Sequence, residues 1–435
     1  MDPLFIGLFA IAALLVLLAA GLHVGVAMAV VALAGTYATV GLPFMLTTAE
    51  SLPYALATDF TFVVIPMFIL MGAITACTGV TAELYNAAHK WTGGLRGGLY
   101  YATTLASGAF GAISGSTVVS AALFTQIALP EMRRYGYSVA LSAGCICAAG
   151  TFAALIPPSV AMVIYALLVN QSVGALLMAG LLPGLLTIGV YLVGIRILLH
   201  LRKDAAPYEV QRYTLSEKLD SLRGTWATIL LAVIVMGGIY SGIMFPSTAG
   251  AAGAAGALLI GVLRGRLSGK AFLTALRDAV IMTAALFTII IGGLLLSRFL
   301  LISGFISSVS SFTSATGLTV PVFLFGIVVL YVVLGAFLDG LSMMVMTIPF
   351  VHPVAMNLGV DPIWFGVIVI KLIEIGAITP PVGLNLFAVV GASNGTVRAS
   401  SLFGGITPFL IMEIVTLALL IAFPSITLFL PNQMF

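Results

Sequence analysis

The chain has 435 residues, of which 61% are hydrophobic and only 7% charged, with a formal net charge of +3. A soluble domain carries about 25% charged residues, so this chain cannot clothe a water-facing surface. It reads as an all-α polytopic membrane protein whose solvent is the lipid bilayer, since the short alternating segments of a β-barrel are absent and no basic patch suits nucleic acid.

Apolar runs bounded by Gly, Pro or charge predict spans at 4–21, 24–42, 60–82, 138–168, 174–199, 226–243, 247–263, 280–301, 363–390 and 403–430. Crossing a bilayer core takes about 20 residues. Met1-Asp2-Pro3 lacks the basic start of a cleaved signal. Cys77, Cys145 and Cys147 fall inside apolar segments without metal-ligand spacing and read as packing. Two further stretches, 95–132 and 319–356, are too long for one span. Each is interrupted by a polar, glycine-rich break: GAISGST at 111–117 and GAFLDGLS at 335–342. Both are predicted to be re-entrant hairpins, which membranes tolerate only when buried in protein or lining a wet cavity.

Charge sets the orientation. Arg196, Arg202, Lys203, Arg212, Lys218 and Arg223 precede one pair of spans, and Arg264, Arg266, Lys270 and Arg277 follow it. By the positive-inside rule both stretches are cytoplasmic. Lys90, Arg96, Arg133 and Arg134 flank the first hairpin, so it opens inward. The flanks of the second carry no Lys or Arg, so it opens outward. Ten spans then leave both termini outside.

The opposed hairpins point to an internal repeat. GAISGSTVVSAALFTQIALPEMRRYGYS begins at Gly111 and GAFLDGLSMMVMTIPFVHPVAMNLGVDP at Gly335; Pro157-Pro158 is answered by Pro380-Pro381. The halves are 1–215 and 216–435, meeting in the polar linker 200–224. Each has five spans, one hairpin and one span broken by the paired prolines, at 138–168 and at 363–390. An odd number of spans makes the second copy inverted. Paired prolines at membrane depth remove backbone donors, and in inverted-repeat transporters such breaks bind ions and anionic substrates. Thr151, Ser159, Thr379 and Asn385 surround the two breaks and supply neutral oxygens suited to Na⁺. The tip residues Ser114, Ser116 and Thr117 would meet the second tip, Asp339 to Ser342, near the midplane. Ser116, Thr117, Ser159, Asp339, Ser342 and Asn385 are the candidate substrate contacts. Asp339 could bind an ion or pin its hairpin by accepting amide hydrogen bonds. Lys371 and Glu374 can pair on one helix; Glu413 and Arg298 have no partner evident in the sequence. No H-E-x-x-H, G-x-S-x-G or Walker motif is present, so the chain does not read as an enzyme.

GAISGS followed by IPPS, with EIGAITPPVGLN in the second half, resembles the large membrane subunit of tripartite ATP-independent periplasmic (TRAP) transporters, of the DctM or SiaM type. The resemblance extends over the whole chain. It implies an elevator-type ion-transporter fold in a bacterial inner membrane. It also implies import of an organic acid, such as a dicarboxylate or sialic acid, coupled to Na⁺ and without any other cofactor. The implied partners are a small four-helix membrane subunit, expected as a separate chain, and a periplasmic substrate-binding protein. Carried onto this chain, one Na⁺ site would use Gly111, Ser114, Ala153, Ile156 and Pro158. The other would use Gly335, Gly376, Thr379 and Val382. Gly111 offers no side-chain oxygen, so its ligand would be a carbonyl or a water. A stand-alone Na⁺/organic anion symporter, or a channel or scaffold subunit, are the alternatives.

Overall fold

The computed structural model describes residues 2–207 and 212–434. Part of the expected linker, 208–211, and the terminal Met1 and Phe435 therefore lie outside the described residues. Those residues form helices and turns without any strand. Five helices are long and apolar enough to cross a bilayer: Phe60–Cys77, Val173–Leu201, Pro246–Leu263, Gly269–Ile302 and Ala399–Ala422. A bent pair, Leu215–Leu222 with Trp226–Tyr240, adds a sixth. Pro3–Ala19 and Val24–Val40 are apolar but only 17 residues each, about 26 Å at 1.5 Å per residue, just under the bilayer core.

Three amphipathic helices were not anticipated by hydropathy. Leu42–Thr58 fills the gap between the second and third expected spans. The expected span 60–82 ends early, at Cys77, because Gly79 adopts φ +74° and turns the chain into Val80–Thr92. That helix carries Glu83, Asn86, His89 and Lys90 and cannot continue a span. Phe305–Ala315 occupies the corresponding place before the second hairpin. A partly exposed charge network ties Val80–Thr92 down. Glu83 pairs with Arg264 and with Arg266, each at 2.6 Å.

Both expected hairpins are present. Gly98–Ser114 returns as Thr117–Arg134, and Val320–Gly335 returns as Gly340–Asn357. Both expected broken helices are present too. Val139–Gly150 tightens to a 3₁₀ turn at Thr151–Ala154 and restarts at Val160–Leu168. Pro362–Ile378 stops and restarts at Leu384–Ala392.

These elements pack backbone to backbone. A Cβ on Gly292 would fall 2.2 Å from the Gly25 carbonyl oxygen, and one on Gly405 would fall 2.0 Å from that of Ala140. Small residues are what permit such approach where no hydrophobic effect drives helices together. Gly292→Val should therefore lower the thermal unfolding midpoint by an amount equivalent to about 1–3 kcal/mol. Gly391→Ala, where a Cβ meets nothing within 4 Å, should leave the midpoint unchanged or raise it. Equal midpoints for the two variants in detergent would contradict this packing.

Candidate functional site

Each hairpin tip is built by a cap. Gly98–Ser114 ends because Gly115 takes φ +60°, a conformation that suits glycine, and a Cβ there would fall 3.0 Å from the Pro158 carbonyl oxygen. Ser116 then caps the returning helix, its hydroxyl accepting from the Val119 amide at 3.5 Å. At the second tip the Asp339 carboxylate accepts from the Ser342 amide at 3.0 Å. Of the two roles open to Asp339 in the sequence, pinning the hairpin is the one this hydrogen bond shows.

The breaks follow from missing donors. Pro157 and Pro158 have no N–H to give to the carbonyls of Ala153 and Ala154, one helical turn earlier. The Ser159 hydroxyl donates to the Ala154 carbonyl and accepts from the Met162 amide at 3.2 Å. Ser159 is thus a helix cap, and the carbonyl of Ala153 gets no comparable replacement among the described hydrogen bonds. In the second break Pro380 and Pro381 cannot serve Gly376 and Ala377. The Thr379 amide donates to the Gly376 carbonyl at 3.2 Å, and the Thr379 hydroxyl to that of Ile375 at 2.7 Å. The unreplaced carbonyl is therefore that of Ala377, a residue that sequence reasoning passed over in favour of Gly376. The peptide bonds Pro157-Pro158 and Pro380-Pro381 are both cis.

Hairpins and breaks touch through the predicted glycines. A Cβ on Gly111 would lie 3.2 Å from Ala153 Cα, and one on Gly335 would lie 2.5 Å from Gly376 Cα. Beside these crossings, Ser114 Oγ, Ser342 Oγ and Asn385 Oδ1 are buried without a hydrogen-bond partner. Unsatisfied buried oxygens cost about 1–3 kcal/mol each unless something binds them. Among the described residues no group of three His, Cys, Asp or Glu could hold a metal ion. The oxygens on offer are neutral hydroxyls, amides and carbonyls, a set suited to a small hard monovalent cation.

Between the tips lies a cavity of about 370 Å³. Ser114, Gly115, Ser116 and Thr117 line it from the first tip, Asp339, Gly340 and Leu341 from the second, and Ala154, Val160, Ala377 and Leu384 from the two breaks. Four helices thus begin at its wall, at Thr117, Val160, Gly340 and Leu384. Each helix start carries a partial positive charge and free amide groups. Such a convergence is the kind of arrangement that suits an anion without a cationic side chain. Of the predicted residues, Ser114, Ser116, Thr117 and Asp339 line this cavity. Gly111, Ala153, Gly335 and Gly376 form the backbone crossings behind it. Ile156, Pro158, Thr379 and Val382 lie in or beside the breaks. Ser159, Ser342 and Asn385 stand outside the wall, and the Asn385 amide reaches the Cys147 carbonyl at 3.4 Å. Asp278 and Glu374 line the cavity unforeseen.

One cluster could not be assembled from the sequence. Lys371 Nζ lies 2.7 Å from Glu374 Oε2 and also pairs with Glu413; Tyr191 donates its hydroxyl to Glu413 Oε1 at 2.5 Å, and Lys371 reaches Thr187 at 3.3 Å. Lys371, Glu374, Glu413 and Tyr191 are wholly buried and Thr187 nearly so. Glu413 therefore has the partner it lacked on paper. Arg298 instead rests on the ring of Phe44, 5.9 Å from its centre. The cluster joins Val173–Leu201, Pro362–Ile378 and Ala399–Ala422. At the 223-residue offset of the paired prolines (380 − 157), Ala148 and Thr151 stand where the second half has Lys371 and Glu374.

A cavity bounded by helical hairpins and broken helices, inside a chain of apolar helices, is the architecture of a membrane transport permease. Residues 11–426 match the family model described as "Tripartite ATP-independent periplasmic transporter, DctM component", and the chain belongs to that family. It is 36% identical over 378 residues to the C4-dicarboxylate TRAP transporter large permease protein DctM of Pseudomonas aeruginosa, covering 86% of each chain. It is 30% identical over 375 residues to the sialic acid TRAP transporter large permease protein SiaM of Vibrio cholerae, covering 86% of this chain and 87% of the other. Among solved structures, the Alcanivorax borkumensis YdaH transporter shares the fold with a TM-score of 0.58 at 14% identity, covering 88% of this chain and 89% of that one.

Gly335→Ala should push the second hairpin off its break and abolish transport, because its Cβ would overlap backbone that has no rotamer to move. Wild-type uptake by this variant would show that the crossing is not needed. Lys371→Met should destabilise by about 3–5 kcal/mol, since it leaves two buried carboxylates without their ammonium. An unchanged unfolding midpoint would remove the cluster from the core of the fold.

Proposed function

We propose that this chain is the ion-coupled permease subunit of a TRAP transporter. In this reading it imports an organic acid across a bacterial inner membrane with the Na⁺ gradient. The observation that carries the reading is the single cavity on which four helix N-termini, two hairpin tips and both proline breaks converge. The N-termini suit a carboxylate. The carbonyls of Ala153 and Ala377 and the unpartnered hydroxyl of Ser114 suit Na⁺. Both needs arise from the same unwound backbone.

Recurrence of the element order supports an inverted repeat. Thr117–Arg134 and Gly340–Asn357 start 223 residues apart (340 − 117), Val160–Leu168 and Leu384–Ala392 start 224 apart (384 − 160), and Val80–Thr92 and Phe305–Ala315 start 225 apart (305 − 80). With the positive-inside orientation, the cavity wall at Cys77 and Asp278 faces the cytoplasm. Each half would contribute one hairpin and one broken helix to a body that slides against the remaining spans, carrying ion and anion together. The names of the relatives include C4-dicarboxylate, sialic acid and isethionate permeases, which supports an organic anion as cargo. Family membership supports two partners, a small four-helix membrane subunit and a periplasmic binding protein that delivers the substrate.

In proteoliposomes holding both membrane subunits and supplied with the binding protein, uptake should require an inward Na⁺ gradient. Indifference to that gradient would end the Na⁺-coupled reading, and uptake without binding protein or small subunit would favour a self-sufficient symporter. Ser114→Ala should raise the Na⁺ concentration for half-maximal uptake by about tenfold, the equivalent of one lost oxygen ligand. An unchanged Na⁺ dependence would remove Ser114 from the ion site.

A further inference from the structure

The cavity wall has a charge pattern that narrows its cargo. Its acidic groups are Asp278, Asp339 and Glu374, the last already paired with the buried Lys371, and no Lys, Arg or His lines it. Lys371 is turned away into its buried pairs with Glu374 and Glu413. The positive field at the wall is that of the helix starts at Thr117, Val160 and Leu384, since the Asp339 carboxylate already caps the start at Gly340, joined by whatever cation the neighbouring oxygens hold. These starts lie beside the tips and breaks, and Ser114, whose buried hydroxyl is unpartnered, stands with them. Apart from Cys77 and the tip hydroxyls of Ser116 and Thr117, the rest of the wall is largely aliphatic, with Ile69, Val119, Met282, Leu286 and Leu341.

From this pattern we propose that the cargo is a small monocarboxylate with an apolar carbon body, in place of a dicarboxylate or an acid sugar. The inference rests on the transporter reading of the same cavity and deepens it. A single carboxylate would be met by the helix starts and the coupling cation. A second carboxylate beyond the tip hydroxyls of Ser116 and Thr117 would have to lie against aliphatic side chains or beside Asp278, where an uncompensated charge is strongly disfavoured. A polyhydroxylated acid sugar would press its hydroxyls against the same aliphatic side chains, where buried polar groups without partners are costly, so an acid with an apolar body suits the wall better.

The test uses the purified complex of both membrane subunits, without the binding protein, so that the cavity alone selects. The quantity read is the Na⁺-dependent part of ligand stabilisation, taken as the difference between Na⁺ and choline buffers, for butyrate, pentanoate, hexanoate, succinate and N-acetylneuraminate. Affinity should rise about fourfold per methylene from butyrate to hexanoate, the increment expected for burying each CH₂. Succinate should bind at least tenfold more weakly than hexanoate, and N-acetylneuraminate should give no shift. A flat or falling series, tightest binding by succinate, or a clear shift with N-acetylneuraminate would each overturn the proposal. So would the absence of any shift with all five acids when Na⁺ by itself stabilises the complex. If Na⁺ has no effect either, the Na⁺-coupled reading of the site falls together with this one.

Discussion

Everything distinctive in this structure depends on one constraint: inside a bilayer no water repairs a backbone group that loses its partner. Pro157, Pro158, Pro380 and Pro381 create such losses at membrane depth, in both halves of the chain. The structure answers them partly from within. Ser159 takes over the carbonyl of Ala154, and the Thr379 amide takes that of Gly376. What it leaves over is equally consistent: the carbonyls of Ala153 and Ala377, and the buried hydroxyls of Ser114 and Ser342. The remainder is shielded from lipid because a hairpin crosses each break at glycine contact, Gly111 over Ala153 and Gly335 over Gly376.

The same geometry concentrates electrostatics without using charged side chains. A hairpin and a broken helix each restart inside the membrane, so each delivers a helix N-terminus there. Two of each yield four, all at one cavity. Partial charges from peptide dipoles need no counterion and little desolvation, which on the proposed reading makes them better suited than Lys or Arg to accept and release an anion. The buried lysine has been placed elsewhere. Lys371, Glu413 and Tyr191 are locked together behind the wall and fasten the second broken helix to the long helices on either side of it. The first half, with Ala148 and Thr151 at the matching positions, lacks that fastening. Both halves thus carry a hairpin and a proline break, while the charge cluster belongs to only one.

Much of this was legible in the sequence, and the unread part has a common cause. Hairpins and breaks announce themselves through residues with local meaning: glycine-rich polar tips inside apolar runs, and adjacent prolines. The amphipathic helices Leu42–Thr58, Val80–Thr92 and Phe305–Ala315 were missed because hydropathy averages over their two faces and shows only a gap between spans. The Glu413 pairing was missed because its partners, Lys371 and Tyr191, lie 42 and 222 residues away (413 − 371 and 413 − 191). The free carbonyl of Ala377 was not legible because motif position does not reveal which carbonyl a nearby amide will claim.

By itself the sequence determined the solvent, the helical class, the two hairpins, the two breaks and their recurrence in both halves. Each of these depends on composition or on the conformational limits of single residues, which act over a few positions. Only the tertiary structure decided which oxygens stay free, that both tips meet at one cavity, that its wall bears carboxylates and no cation, and that a buried lysine holds two glutamates. Those outcomes depend on distances between segments far apart in the chain, set by how closely small residues let helices pack, and no local pattern encodes such distances.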